Sequence, residues 1–166
     1  MNSIYLISGP LGAGKSSLSR LINKKYGYAL IDGDAMFGPL ENVRSLEWSQ
    51  RLKVTWKNIL EMTKNYLSYD LDVVIDFVVE DELDWFISEL GNFNIRFKYV
   101  VLVAKEDEIK KRLIKRDGGL QYQDRSLVLL NQLQSNERNI RFILDTTGKT
   151  NQEVCDLFIS GKQFEL

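Results

Sequence analysis

The stretch Gly9-Pro10-Leu11-Gly12-Ala13-Gly14-Lys15-Ser16 decides how the rest of the chain is read. Two glycines spaced by four residues and followed by Lys-Ser fill every specified position of a phosphate-binding P-loop. At average residue usage a chain of this length matches that pattern by chance on the order of once in two hundred cases. The residue types follow from the chemistry of holding phosphate, because glycines let backbone N–H groups turn inward around phosphate oxygens, where a Cβ would obstruct. A helix that begins at the loop's end points its positive N-terminus at the same oxygens. In such a loop the lysine reaches the β- and γ-phosphates and the serine hydroxyl ligates Mg²⁺, which makes Lys15 a candidate catalytic cation and Ser16 a candidate metal ligand. The local context agrees, since Ser3 to Ser8 is an apolar β-type run and Leu18, Leu21 and Ile22 open an amphipathic helix.

Outward from the loop the same alternation repeats. Short runs at Tyr28 to Ile31, Val73 to Phe77, Tyr99 to Val103 and Arg141 to Leu144 complete five expected strands. Between them lie helical faces at Leu52, Trp56, Ile59, Thr63 and Tyr66; at Leu83, Phe86, Ile87 and Leu90; at Ile109 and Leu113; at Leu127, Leu130 and Leu133; and at Val154, Leu157 and Phe158. Strands alternating with helices predict an α/β domain with a parallel sheet covered on both faces. The prolines, Pro10 and Pro39, fall in loops, and no repeat, linker or low-complexity tract interrupts residues 1–166. Gly118-Gly119, between Arg116-Asp117 and a polar stretch ending at Arg125, reads as a hinge, so a short mobile lid is expected at about 117–125.

Composition narrows the chemistry. With 44% hydrophobic and 27% charged residues in 166, the chain is of ordinary globular type and of single-domain length. Lys plus Arg (22) nearly cancels Asp plus Glu (23); no net positive field recommends nucleic acid or an acidic membrane as a partner. The sequence has no histidine, which excludes triads and zinc sites that need imidazole and leaves acid–base work to carboxylates. Cys155, the one cysteine, flanked by Val154, Leu157 and Phe158, reads as core packing. Lacking a signal-peptide pattern or a membrane-length apolar run, the chain is expected to be cytoplasmic.

A P-loop alone does not separate kinases from GTPases, and the chain has no Asn-Lys-x-Asp segment for reading guanine. Asp32-Gly33-Asp34 follows the second strand, at the carboxyl edge where open α/β sheets bind ligands. If that segment is extended, its two carboxylates share a direction and reach one cavity, one supporting Mg²⁺ and the other accepting a proton from an attacking hydroxyl. The competing reading is a plain Asp-Gly turn. Asp76 ends an apolar strand, where a metal or substrate role and a capping role are equally compatible with the sequence.

These features resemble the small P-loop kinases related to gluconate kinase, shikimate kinase, chloramphenicol phosphotransferase and the zeta-toxin-like kinases. The likeness runs through the P-loop, Ile31-Asp32-Gly33-Asp34, Val73-Val74-Ile75-Asp76, Lys111 to Asp117 and Leu144 to Thr150. It implies a three-layer fold with a five-stranded parallel sheet of order 2-3-1-4-5. It further implies nucleotide contacts from Gly9, Leu11, Gly12, Ala13, Gly14, Lys15, Ser16, Ser17, Arg112 and Thr147, with Arg112 stacking on adenine. Asp34 corresponds to the position that binds the acceptor hydroxyl and serves as candidate base, while Asp32 and Asp76 are candidate supports for Mg²⁺. Arg116 and Arg125 are alternative arginines for the transferring phosphate, a role for which a guanidinium fork is suited. The acceptor region is expected at about 35–70, with Phe37, Arg44, Asp34 and Asp76 as substrate contacts. Trp48 and Trp56 read first as core anchors. The implied activity is ATP- and Mg²⁺-dependent phosphorylation of a hydroxyl on a small molecule, by a monomer or weak homodimer. A nucleoside-monophosphate kinase and a non-catalytic ATP-sensing module are the alternatives.

Overall fold

The structure is a computed structural model that describes residues 1–116 and 118–166. Its centre is a five-stranded parallel sheet in the order β2-β3-β1-β4-β5, with β1 at Asn2–Ser8, β2 at Ala29–Asp32, β3 at Val73–Asp76, β4 at Ile95–Val103 and β5 at Ile143–Asp145. Among the described residues seven α-helices connect and cover the strands: α1 (Lys15–Tyr26), α2 (Gly33–Phe37), α3 (Trp48–Ser68), α4 (Leu83–Glu89), α5 (Glu106–Ile114), α6 (Gln123–Ser135) and α7 (Asn151–Ser160). The fold class and strand order match what the sequence and its family resemblance imply.

Period-two alternation along buried strands sends successive side chains into two cores. Ile4 and Leu6 of β1, with Val73 and Ile75 of β3, pack beneath Trp56 and Ile59 of α3 and Phe86 of α4. Tyr5 and Ile7, with Val74, Val100 and Leu102, face Leu18 and Ile22 of α1 and Cys155 and Phe158 of α7. Cys155 is fully buried, as expected of a packing residue. Among the described residues no helix is long and apolar enough to cross a membrane.

Element edges depart from expectation in places that have physical causes. β4 begins four residues earlier than expected, at Ile95, because Asn2 to Ile7 offer it continuous pairing partners. Arg141 and Phe142 belong to a short 3₁₀ turn (Glu137–Phe142) rather than to β5. Leu157 is 43% exposed and Cys155 takes its place in the core, since the buried stripe of α7 runs through Val154, Cys155 and Phe158. The segment after Gly118 is not an open loop but a 3₁₀ turn (Gly119–Tyr122) leading directly into α6.

Candidate active site

The P-loop leaves β1 at its carboxyl end and enters α1 at Lys15. Gly9 has φ of 141°, and a Cβ built there would lie 2.4 Å from the Leu102 carbonyl oxygen, so only glycine lets the loop pass over β4. Gly12 and Gly14 also have positive φ, and the loop closes on itself through the Ala13 N–H, which donates to the Pro10 carbonyl at 3.2 Å. The resulting cradle of backbone N–H groups at a helix N-terminus is built for an anion. Lys15 is buried; its ammonium donates weakly to the Pro10 carbonyl at 3.4 Å.

Parallel pairing sets Asp32 of β2 directly beside Asp76 of β3, and Asp76 beside Ile7 of β1. Topology thereby brings three sequence-distant segments to the mouth of the P-loop. Asp76 is 2% exposed. One of its carboxylate oxygens accepts from the Ser19 hydroxyl at 3.3 Å, and the other is buried without a partner. Burial raises the pKa of this carboxyl above the usual carboxylate range, and the nearby charges of Asp34 and Asp32 add to the rise. The Lys15 ammonium and the Ser16 hydroxyl act in the opposite direction.

The Asp32-Gly33-Asp34 segment departs from the expected geometry. Rather than running extended, the chain turns into α2 at Gly33, because the Asp32 side chain accepts the Ala35 N–H at 3.2 Å and caps that helix. A Cβ at Gly33 would lie 2.4 Å from the Phe77 ring, so the turn presses the backbone onto the core. One oxygen of Asp32 is thus engaged in the cap, while Asp34 stands exposed on the first turn and lines a cavity with Lys15.

Two cavities flank the P-loop. The first, of about 360 Å³, lies between α1, α5 and α7 and is lined by Ala13, Gly14, Ser17, Arg112, Thr146 and Asn151 among others. Arg112 braces its wall: Nε donates to Glu108 at 3.0 Å, Nη1 to the Gly12 carbonyl at 3.2 Å and to the Thr146 hydroxyl at 3.0 Å, and Nη2 to the Thr146 carbonyl at 3.1 Å. Thr146, rather than the expected Thr147, faces this cavity; the Thr147 hydroxyl instead accepts the Lys105 N–H at 2.9 Å. Two adjacent threonines carry no sequence signal that separates their roles.

The second cavity, of about 390 Å³, opens on the other side of Lys15. Asp34, Phe37, Arg116 and Arg125 line it, so the structure brings together both candidate arginines, the candidate base Asp34 and, in Asp34 and Phe37, two of the four expected substrate contacts. Gly9 and Leu11 line it too, and the Ser126 hydroxyl of α6 donates to the Leu11 carbonyl at 2.6 Å, tying α6 to the P-loop. Arg44 is not gathered in: it sits on an exposed turn outside this lining. Asp117, at the start of the expected lid, lies outside the described residues. Trp56 is a core residue at 1% exposure, whereas Trp48 is 40% exposed and forms a cavity wall. Sequence reasoning missed Glu41, Gln121, Tyr122 and Ser126 here, and Lys149 and Asn151 in the first cavity. Glu41 falls within the expected acceptor region, Gln121 and Tyr122 within the expected lid, and Lys149 within a segment that carries the family likeness, whereas Ser126 and Asn151 lie outside all of these.

The protein donors near the loop suit Mg²⁺, which takes few protein ligands and keeps waters and phosphate oxygens. Ser16 supplies a hydroxyl at the start of α1, and Asp76 supplies a buried carboxylate oxygen that has no partner.

Comparison with known proteins matches this architecture. The sequence profile of a family described as AAA domain fits residues 4–143. A cytidylate kinase of Caldicellulosiruptor saccharolyticus is 32% identical over 119 residues, covering 66% of this chain and 47% of that protein. The chain spans less than half the length of the curated relatives it matches. Among solved structures, a gluconokinase from Sinorhizobium meliloti 1021 superposes with a TM-score of 0.70 at 22% identity, covering 96% of this chain and 90% of the other. The APS kinase CysC of Mycobacterium tuberculosis, in complex with AMPPNP and APS, gives 0.68 at 18% identity, covering 96% and 98%. At such identities the likeness establishes the fold.

Proposed function

The chain belongs to the AAA domain family, and from that membership and its P-loop kinase fold we propose that it transfers the γ-phosphoryl group of ATP, with Mg²⁺, to a hydroxyl of a small-molecule acceptor. One observation carries the reading: Lys15 and Asp34 line the same cavity, on the opposite side of the P-loop from the cavity braced by Arg112. A donor on one side and an acceptor on the other would meet at the lysine.

The loop's N–H groups and Lys15 would hold the triphosphate, with its base and ribose toward Arg112, Thr146 and Asn151. Ser16 and the free oxygen of Asp76 would hold Mg²⁺, which when bound neutralises phosphate charge. Lys15 places a fixed cation against the transferring group, in a setting that need not reorganise as charge shifts. Arg116 and Arg125 border the path between donor and acceptor and can offset the same charge. Asp34 accepts the acceptor's hydroxyl proton as the new P–O bond forms and the bond to the ADP oxygen breaks.

A second reading has specific support. The cytidylate kinase match favours a nucleoside monophosphate as acceptor, for which no carboxylate base is needed. Coupled measurement of ADP release separates the readings. Release that depends on a hydroxyl compound supports the proposal, and release that depends on CMP supports the second reading. ATP binding without release under any acceptor would leave a sensing module.

A further inference from the structure

Trp48 stands outside the core, 40% exposed on the wall of the second cavity, yet it is braced from several directions. At the start of α3 the Gln50 side chain accepts the Glu47 N–H at 2.8 Å. Arg51 ties down the preceding loop by donating to the Leu46 carbonyl at 3.0 Å and to the Val43 carbonyl at 3.2 Å. The indole meets the Phe37 ring edge-on with centroids 4.8 Å apart, and Phe37 is itself buried beside Phe77. Phe37 ends α2, the short helix whose first turn carries Asp34. One indole therefore leans on the helix that bears the candidate base.

The same indole also meets the other side of the cavity. Arg125 of α6 places its guanidinium over the ring, 3.9 Å from the centroid. That contact engages the π-face and consumes none of the guanidinium's N–H donors, which remain able to receive an oxyanion. Among the described residues no ion pair claims them. The lining sets Lys15, Arg116 and Arg125 against Asp34 and Glu41, three cations to two carboxylates, a balance that favours an anion. Gly9 and Lys15 bring the P-loop into that lining, so a phosphoryl group held by the loop is the anion within its reach. A long arginine side chain loses rotamer freedom when it grips such a group; resting on a braced ring, it has lost part of that freedom beforehand.

Resting on the kinase reading above, we infer that Trp48 is a positioning residue that holds Arg125 for the transferring phosphoryl group. The indole face fixes the guanidinium and its edge rests on Phe37, so one side chain sets the arginine-bearing α6 against the base-bearing α2.

Binding of ADP with Mg²⁺ and fluoroaluminate, a mimic of the transferring phosphoryl group, tests this by isothermal titration of the intact protein without any acceptor. Trp48→Leu keeps an apolar side chain but removes the π-face. It is expected to weaken binding in the presence of fluoroaluminate by at least about tenfold while binding of ADP alone stays within about twofold. Trp48→Phe, which restores a face, should recover most of the loss. Arg125→Ala should show the same selective loss, and adding Trp48→Leu to it should cost nothing further. The inference is overturned if Trp48→Leu leaves fluoroaluminate binding intact, weakens ADP alone equally, is not rescued by Trp48→Phe, or still acts in the absence of Arg125. Binding of ADP by the unaltered protein with no gain from fluoroaluminate also overturns it and leaves nucleotide binding standing. Failure of the unaltered protein to bind ADP at all would instead bring down the kinase reading.

Discussion

Lys15 and Asp76 form the most consequential pair of unlike charges at the site. Both are buried, and neither has a strong alternative partner: the lysine has one long bond to the Pro10 carbonyl, and an oxygen of the aspartate has none. Lys15→Ala removes the buried cation of the P-loop and is expected to lower ATP affinity or turnover by more than roughly tenfold; isothermal titration and ADP release would detect it. Asp76 yields a prediction of opposite signs. Its carboxyl pKa is raised, chiefly by burial, so the folded state holds its proton more tightly than the unfolded chain. The stability this contributes is present at low pH and lost as pH rises through the folded-state value. Asp76→Asn is expected to raise Tm at neutral pH while lowering turnover. In the metal-free protein, Tm should fall as pH rises through the raised value of this carboxyl, and Asp76→Asn should remove that fall. A pH dependence of Tm unchanged in the variant would contradict the account. Asp34 shows no such burial, and Asp34→Asn should slow the chemical step by roughly 10²–10⁴ with ATP affinity largely kept.

At the scale of elements, the segment from Gly118 to α6 is attached at defined points. Gly119 is buried against the end of α5, and its N–H donates to the Arg116 carbonyl at 2.9 Å. The Ser126 hydroxyl holds the Leu11 carbonyl at 2.6 Å, and Arg125 lies on Trp48. These contacts span the second cavity from its α6 side to the P-loop and to α3, so this segment and the P-loop share a mechanical link. Amide exchange across 118–125 is expected to slow when ATP is bound, and Ser126→Ala should weaken that response. Exchange that is already slow and indifferent to ATP would mean that the segment is a fixed wall. Helix α7 is held differently, by a capping box in which the Thr150 hydroxyl accepts the Glu153 N–H at 3.2 Å and the Glu153 carboxylate accepts the Thr150 N–H at 2.7 Å.

Across the whole molecule, site and core are continuous. Trp56 packs against Phe77 and Phe86 with ring centroids 5.5 and 5.4 Å away, and Phe77 supports both Gly33 and Phe37 beneath the second cavity. Trp56→Ala is therefore expected to cost about 3–5 kcal/mol, a fall in Tm on the order of 10 °C for a chain of this size. Binding of ATP with Mg²⁺ should recover part of that loss by mass action. A thermal shift series with and without nucleotide reads both. A small Tm change on Trp56→Ala would show that the face beneath α3 can collapse around the vacancy.

The residues by themselves determined the phosphate-binding loop, because glycine spacing and Lys-Ser express a local backbone requirement. They determined the α/β class, because buried parallel strands must be continuously apolar and covering helices amphipathic. The absence of histidine also removed imidazole chemistry from the reading. The strand order came from family resemblance, since no local pattern encodes which parallel strands become neighbours. Tertiary structure alone decided the rest. Pairing of β2 with β3 put Asp32 beside Asp76, and capping of α2 turned an expected extended carboxylate pair into one capping residue and one cavity residue. Packing chose Thr146 over Thr147 and Cys155 over Leu157. It brought Trp48 to a cavity wall beneath Arg125, 77 positions away by the numbering of the chain. Such choices depend on which surfaces meet across long separations in sequence, and the energy that makes them is the burial and pairing of groups that no local window contains.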